Sequence, residues 1–105
     1  MSPTNPPTPK LVLAFDPDTC RVFVQGAAIS LSKTEFRVLQ FLVSRQGSAC
    51  TRRQIIEAVQ GEDYPVTERS VDVQVVGIRR KLGDAGQLIQ TVRNVGFRFQ
   101  DQADD

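Results

Sequence analysis

The stretch RSVDVQVVGIRRKL, residues 69–82, decides how the rest of the chain is read. At about 100° per residue, Val71, Val75, Ile78 and Leu82 recur at spacings of four, three and four, which predicts a helix laid on a core along that seam. The opposite face then carries Arg69, Val73, Val76, Gly77 and Arg80. A solvated helix face ordinarily holds Lys, Glu and Gln, so two valines and a glycine among arginines ask for an occupant.

The charge around that stretch points the same way. Residues 10 to 68 hold seven basic and seven acidic side chains, whereas residues 69 to 100 hold six basic ones against Asp72 and Asp84 alone. The tail acids Asp101, Asp104 and Asp105 bring the whole chain back to a net charge of +1. A locally basic third is the footprint of a polyanion partner, with a merely solvated charged face as the alternative.

The preceding segments supply a frame for the helix. MSPTNPPTPK has four prolines in ten residues and reads as a linker or arm over residues 1–9, with the folded domain expected over residues 10–100 and an acidic tail over 101–105. The runs LVLAF, RVFV and AAISL, punctuated by DPDT and QG, predict three short antiparallel strands. LSKTEFRVLQFLVSRQG opens on Ser32 and Glu35, the spacing of a capping box, with Leu31 and Phe36 as a hydrophobic staple. Phe36, Leu39, Leu42 and Val43 form its expected buried face, and Gly47 stands ready to end it. Thr51 and Gln54 repeat the capping spacing before Ile55, Ile56 and Val59, and Gly61 is the expected stop. After the 69–82 helix, closed at Gly83, LIQTVRNVGFRF reads as two strands around RNVG, a hairpin. Two short helices, the second with exposed arginines, followed by a basic hairpin, make an α+β helix-turn-helix with a wing.

Other functions find little in the residues. The chain has no histidine, no glycine-rich phosphate loop after a strand and no nucleophile beside a recognisable base, so an enzyme is not expected. Cys20 and Cys50 lack a CxxC spacing and read as buried or half-buried thiols in a reducing cytosol, with one disulfide as the alternative; no metal or other cofactor is implied. No apolar run approaches the roughly 18 residues of a membrane span, and the N-terminus lacks a signal peptide's apolar region. A cytoplasmic protein with no membrane partner is expected.

Through LSKTEFRVLQFLVSRQG, RRQIIEAVQGEDY, ERSVDVQVVGIRRKLGD and LIQTVRNVGFRF, residues 29 to 99 resemble the winged-helix effector domain of OmpR/PhoB-type response regulators in two-component systems. The resemblance implies sequence-specific binding of double-stranded DNA in transcription regulation, with the third helix in the major groove and the hairpin, about residues 88–99, at the adjacent minor groove. It also implies head-to-tail pairs on direct repeats, a receiver domain in a longer chain, and a contact with RNA polymerase through the loop carrying Glu62, Asp63 and Glu68. A solvated loop is the alternative for those acids. The chain departs from the family at Val76 and Gly77, where members often carry arginines, and at Gln60, where they commonly have a tryptophan.

On this reading Val73, flanked by Ser70 and Gln74, packs on thymine methyl groups, and Val76 adds to the same surface. Arg69, Arg79, Arg80 and Lys81 reach phosphates. Gly77 allows a close approach of helix and DNA backbone. Thr91 and Arg93, two apart, share one face of the hairpin, with Arg93 entering the minor groove. Phe97 and Phe99 belong to the core. The rival is a winged-helix module for protein contacts that has lost tight DNA recognition.

Overall fold

Ser32 and Glu35 do close a reciprocal pair of hydrogen bonds: Glu35 N–H donates to Ser32 Oγ at 3.1 Å and Ser32 N–H to Glu35 Oε1 at 2.9 Å. They start helix α1 (Lys33–Ser44). Thr51 and Gln54 do the same at 2.8 and 3.0 Å for α2 (Arg52–Val59). A third box opens α3 (Glu68–Leu82), where Thr67 and Ser70 exchange bonds of 2.9 and 3.1 Å. Serine replaces the usual Glu or Gln at the inner position, which hides this box from a motif search. The structure is a computed structural model that describes residues 13–60 and 66–100. The expected arm, Gly61, Glu62, Asp63 and the acidic tail lie outside the described residues.

The N-terminal strands β1 (Leu13–Asp16), β2 (Arg21–Val24) and β3 (Ala27–Ser30) form an antiparallel meander in that order. Phe15 meets Phe36 of α1 edge-on, with centroids 5.6 Å apart, and this joins the sheet to the helices. A two-residue strand, β4 (Cys50–Thr51), was not expected. It pairs with β6 (Gly96–Phe99), which also pairs with β5 (Ile89–Val92), giving a second antiparallel sheet in the order β4-β6-β5. Gly96 is required there: a Cβ at this position would run into the Cys50 carbonyl of the neighbouring strand. The wing is therefore stitched to the segment between α1 and α2.

The core gathers between the helices and the wing. Val71, Val75, Ile78 and Leu82 are buried along the predicted seam, and Phe97 and Phe99 are buried with them. In α1 the buried face includes Val38, while Val43 is only partly covered, because α1 packs against α2, α3 and β6 at once and needs a broader face than one stripe. Ile55 and Val59 are buried and Ile56 partly so. Gly47 adopts a left-handed φ of +88°, but three residues after the last residue of α1; its N–H donates to Phe99 O at 2.8 Å. Gly83 follows α3, and a short 3-10 turn (Gly83–Leu88) leads into β5. Both thiols are free, Cys20 half-buried and Cys50 buried, and burial pushes the Cys50 thiol up against the opposing pull of Arg45.

Candidate nucleic-acid interface

Helix α3 has four sides, and the sequence dictates each. The buried seam occupies one. Directly opposite, Arg69, Val73, Val76 and Arg80 repeat the same four, three, four spacing as a second ridge, within an arc of about 60° at helical pitch. All four are exposed, Val73 to 61% and Val76 to 52%. The side chains of Arg69 and Arg80 make no ion pair or hydrogen bond among the described residues.

One flank is tied to α1. Lys81 Nζ donates to Glu35 Oε1 at 2.7 Å, and a Cβ on Gly77, one turn earlier on that flank, would land on Glu35 Oε2. Gly77, which the sequence reading sets against DNA, lies four residues before Lys81 and turns toward Glu35 of α1. Lys81, also expected at phosphate, is paired with Glu35 and remains exposed. Burial alone would push the Glu35 carboxyl up; the Lys81 ammonium and the Ser32 N–H and hydroxyl outweigh it and hold the group below its ordinary value. Ser70 spends its hydroxyl on the helix cap, donating to Thr67 O at 2.9 Å, and Gln74 is half-buried on the same flank as Lys81.

The other flank is tied to α2 and the wing. Arg52 Nε donates to Asp72 Oδ1 at 2.7 Å. Arg79 donates twice to Ile89 O, at 2.7 and 3.1 Å, and once to Thr91 Oγ1 at 2.9 Å. Both guanidiniums lie over the Phe97 ring, 4.9 Å from its centroid for Arg52 and 5.8 Å for Arg79. Without DNA, the Arg79 fork, which the sequence reading directs at phosphate, locks α3 to β5. Thr91, exposed in β5, has its hydroxyl in that same lock.

At the wing tip the turn Arg93–Asn94–Val95 joins the paired Val92 and Gly96, with Asn94 at a left-handed φ of +67° and Val95 N–H donating to Val92 O at 3.0 Å. Arg93 therefore sits in the turn beyond the end of β5, not on a strand face with Thr91. It is exposed and unpaired among the described residues. Val95, 38% exposed beside it, is an apolar tip residue that strand alternation does not single out. Glu68 is exposed in the first turn of α3.

Residues 26–99 match the family described as transcriptional regulatory protein, C terminal. The chain belongs to this family, the effector domains of OmpR/PhoB-type response regulators. The phosphate regulon transcriptional regulatory protein PhoB of Pseudomonas aeruginosa is 41% identical over 88 residues, covering 83% of this chain and 38% of that protein. The response regulator MprA of a Mycobacterium species is 37% identical over 97 residues, covering 90% of this chain and 42% of that protein. The effector domain thus spans about two fifths of the length of these curated relatives. Among solved structures, the Klebsiella pneumoniae RstA DNA-binding domain in complex with the RstA box superposes with a TM-score of 0.68 at 33% identity, covering 84% of this chain and 90% of that one. The AdeR DNA-binding domain in complex with an intercistronic region gives 0.71 at 28% identity, covering 86% and 95%. These are winged-helix domains, and the α+β winged fold of this chain agrees with them.

Proposed function

We propose that this effector domain binds double-stranded DNA as part of a transcription regulator, with α3 in the major groove and the β5–β6 hairpin at the minor groove. The observation that carries the reading is the exposed Arg69–Val73–Val76–Arg80 ridge lying opposite the buried seam of the same helix. A helix fits a major groove about 12 Å wide, where ridge-end arginines meet the two phosphate walls and the valines face the base edges. Val73 is the residue for thymine methyl contact, and Ser70 and Gln74 border it. Arg93, at the tip of the wing, suits the negative potential of a narrow minor groove. Relatives named for DNA complexes support the same function.

The domain works by binding and not by catalysis. Head-to-tail pairing on direct repeats, a receiver domain elsewhere in a longer regulator, a polymerase contact through Glu62, Asp63 and Glu68, and a cytoplasmic setting accompany this reading as properties of the family. No helix among the described residues is long and apolar enough to cross a membrane.

Selection from a pool of randomised duplexes tests the reading. The folded chain should enrich a defined half-site, with affinity falling steeply as salt rises because condensed counterions are released from the phosphates. Arg93→Ala should then lose affinity mainly at A·T-rich positions beside the major-groove contacts, with its melting temperature unchanged. Failure to enrich any sequence would favour a protein-contact module; equal affinity of Arg93→Ala and parent at matched salt would take the wing out of the mechanism.

A further inference from the structure

Val73 and Val76 are two of the three large apolar side chains exposed among the described residues, and they adjoin on the outer ridge of α3. At a spacing of three, their Cβ atoms stand about 5–6 Å apart, so the two side chains form one continuous apolar strip. Neither can give or accept a hydrogen bond. Gly77, next in the chain, is turned to Glu35, Arg79 is held by the wing and the Gln74 amide lies half-buried on the flank, so the two middle positions of the ridge itself carry neither an arginine fork for guanine nor an amide for adenine. Arg69 and Arg80 bracket the strip with positive charge, which suits a polyanion and disfavours an apolar protein surface as occupant. The apolar group that base edges display in the major groove is the pyrimidine C5-methyl.

Resting on the placement of α3 in the groove, we propose that Val76 joins Val73 to make this domain a reader of paired 5-methylpyrimidines. Each valine covers one C5-methyl group, and the site is chosen by methyl groups more than by hydrogen bonds at these two positions. A consequence separates this from ordinary thymine recognition. A valine does not distinguish the O4 of thymine from the amino group of cytosine, so 5-methylcytosine satisfies the Val76 position where unmethylated cytosine does not.

The probe is the duplex enriched by the folded chain, resynthesised with each thymine in turn replaced by deoxyuridine. Two positions should each lose about fourfold in affinity, the worth of one buried methyl group at ~0.8 kcal/mol. Val76→Ala, whose site is exposed and whose melting temperature should match the parent's, should abolish the loss at one position and keep it at the other. At that first position a 5-methylcytosine·guanine pair should bind the parent about fourfold more tightly than a cytosine·guanine pair. If deoxyuridine at every thymine leaves affinity unchanged in a duplex that is still selected, the methyl reader is refuted while DNA binding stands. If the losses occur but Val76→Ala alters neither, Val76 is not the reader. If no duplex is selected at all, it is the DNA-binding reading itself that fails.

Discussion

Glu35 serves three neighbours with two oxygens. Its Oε1 accepts from the Ser32 N–H and the Lys81 ammonium, and its Oε2 lies where a side chain on Gly77 would begin. A glycine inside a helix costs about 1 kcal/mol relative to alanine, so Gly77→Ala by itself ought to stabilise α3. Here the added methyl displaces the carboxylate from two bonds, and the helix gain should be largely cancelled. In a Glu35→Ala background nothing opposes the methyl, and Gly77→Ala should recover the full ~1 kcal/mol. Melting the four proteins of this cycle measures the coupling; strictly additive effects would show that Gly77 and Glu35 do not meet. The same carboxylate makes the fold acid-sensitive. Its pKa in the folded chain lies below the ordinary glutamate value of 4.5, so its contribution is fully present above that value and is lost as pH falls through the folded pKa. Urea unfolding near pH 7 and near pH 3 should therefore show a smaller acid loss for Glu35→Gln than for the parent, and equal losses would place the acid sensitivity elsewhere.

Arg79 converts a helix and a hairpin into one body. Its fork binds Ile89 O and Thr91 Oγ1 while its plane lies over Phe97, whose strand β6 is in turn paired to β4. Helix α3 and the wing consequently keep a fixed separation, as the proposed placement in two adjacent grooves requires. Arg79→Ala removes three hydrogen bonds, two of them to a buried residue's carbonyl, and should cost about 2 kcal/mol. Amide exchange should accelerate across β5 and β6 more than in α1. Arg79→Lys keeps the charge but not the planar fork, and should recover little of the protection. Unchanged exchange in the wing of Arg79→Ala would mean that strand pairing alone holds it.

At the scale of the whole chain, what the sequence disclosed and what it hid divide along a physical line. Helix starts and seams were legible because they rest on contacts three or four residues apart: Ser32 with Glu35, Thr51 with Gln54, and Val71 with Val75. The outward valines were legible for the same reason. Strand β4 was not, since Cys50 meets Phe97 only after α2, α3 and β5 have intervened. Helical phase likewise gives the angle of Gly77 and Arg79 without saying which neighbour fills each flank; only the packing of α1 and the wing against α3 shows that Glu35 faces the one and Ile89 O binds the other. That division bears on affinity. Lys81 and Arg79 have partners within the fold, whereas the side chains of Arg69, Arg80 and Arg93 have none among the described residues, so fewer cations of the basic third stand free for phosphate than its composition suggests. Each phosphate neutralised contributes about 0.9 to the slope of log affinity against log salt. Arg80→Gln should accordingly flatten that slope by about 0.9 on a selected duplex. Arg79→Gln, the same loss of formal charge one residue earlier, should lower the melting temperature yet leave the slope where it was, provided binding is measured well below melting. If Arg79→Gln flattened the slope as Arg80→Gln does, the guanidinium would leave the wing for the DNA on binding, and the lock seen in the free domain would be a resting state.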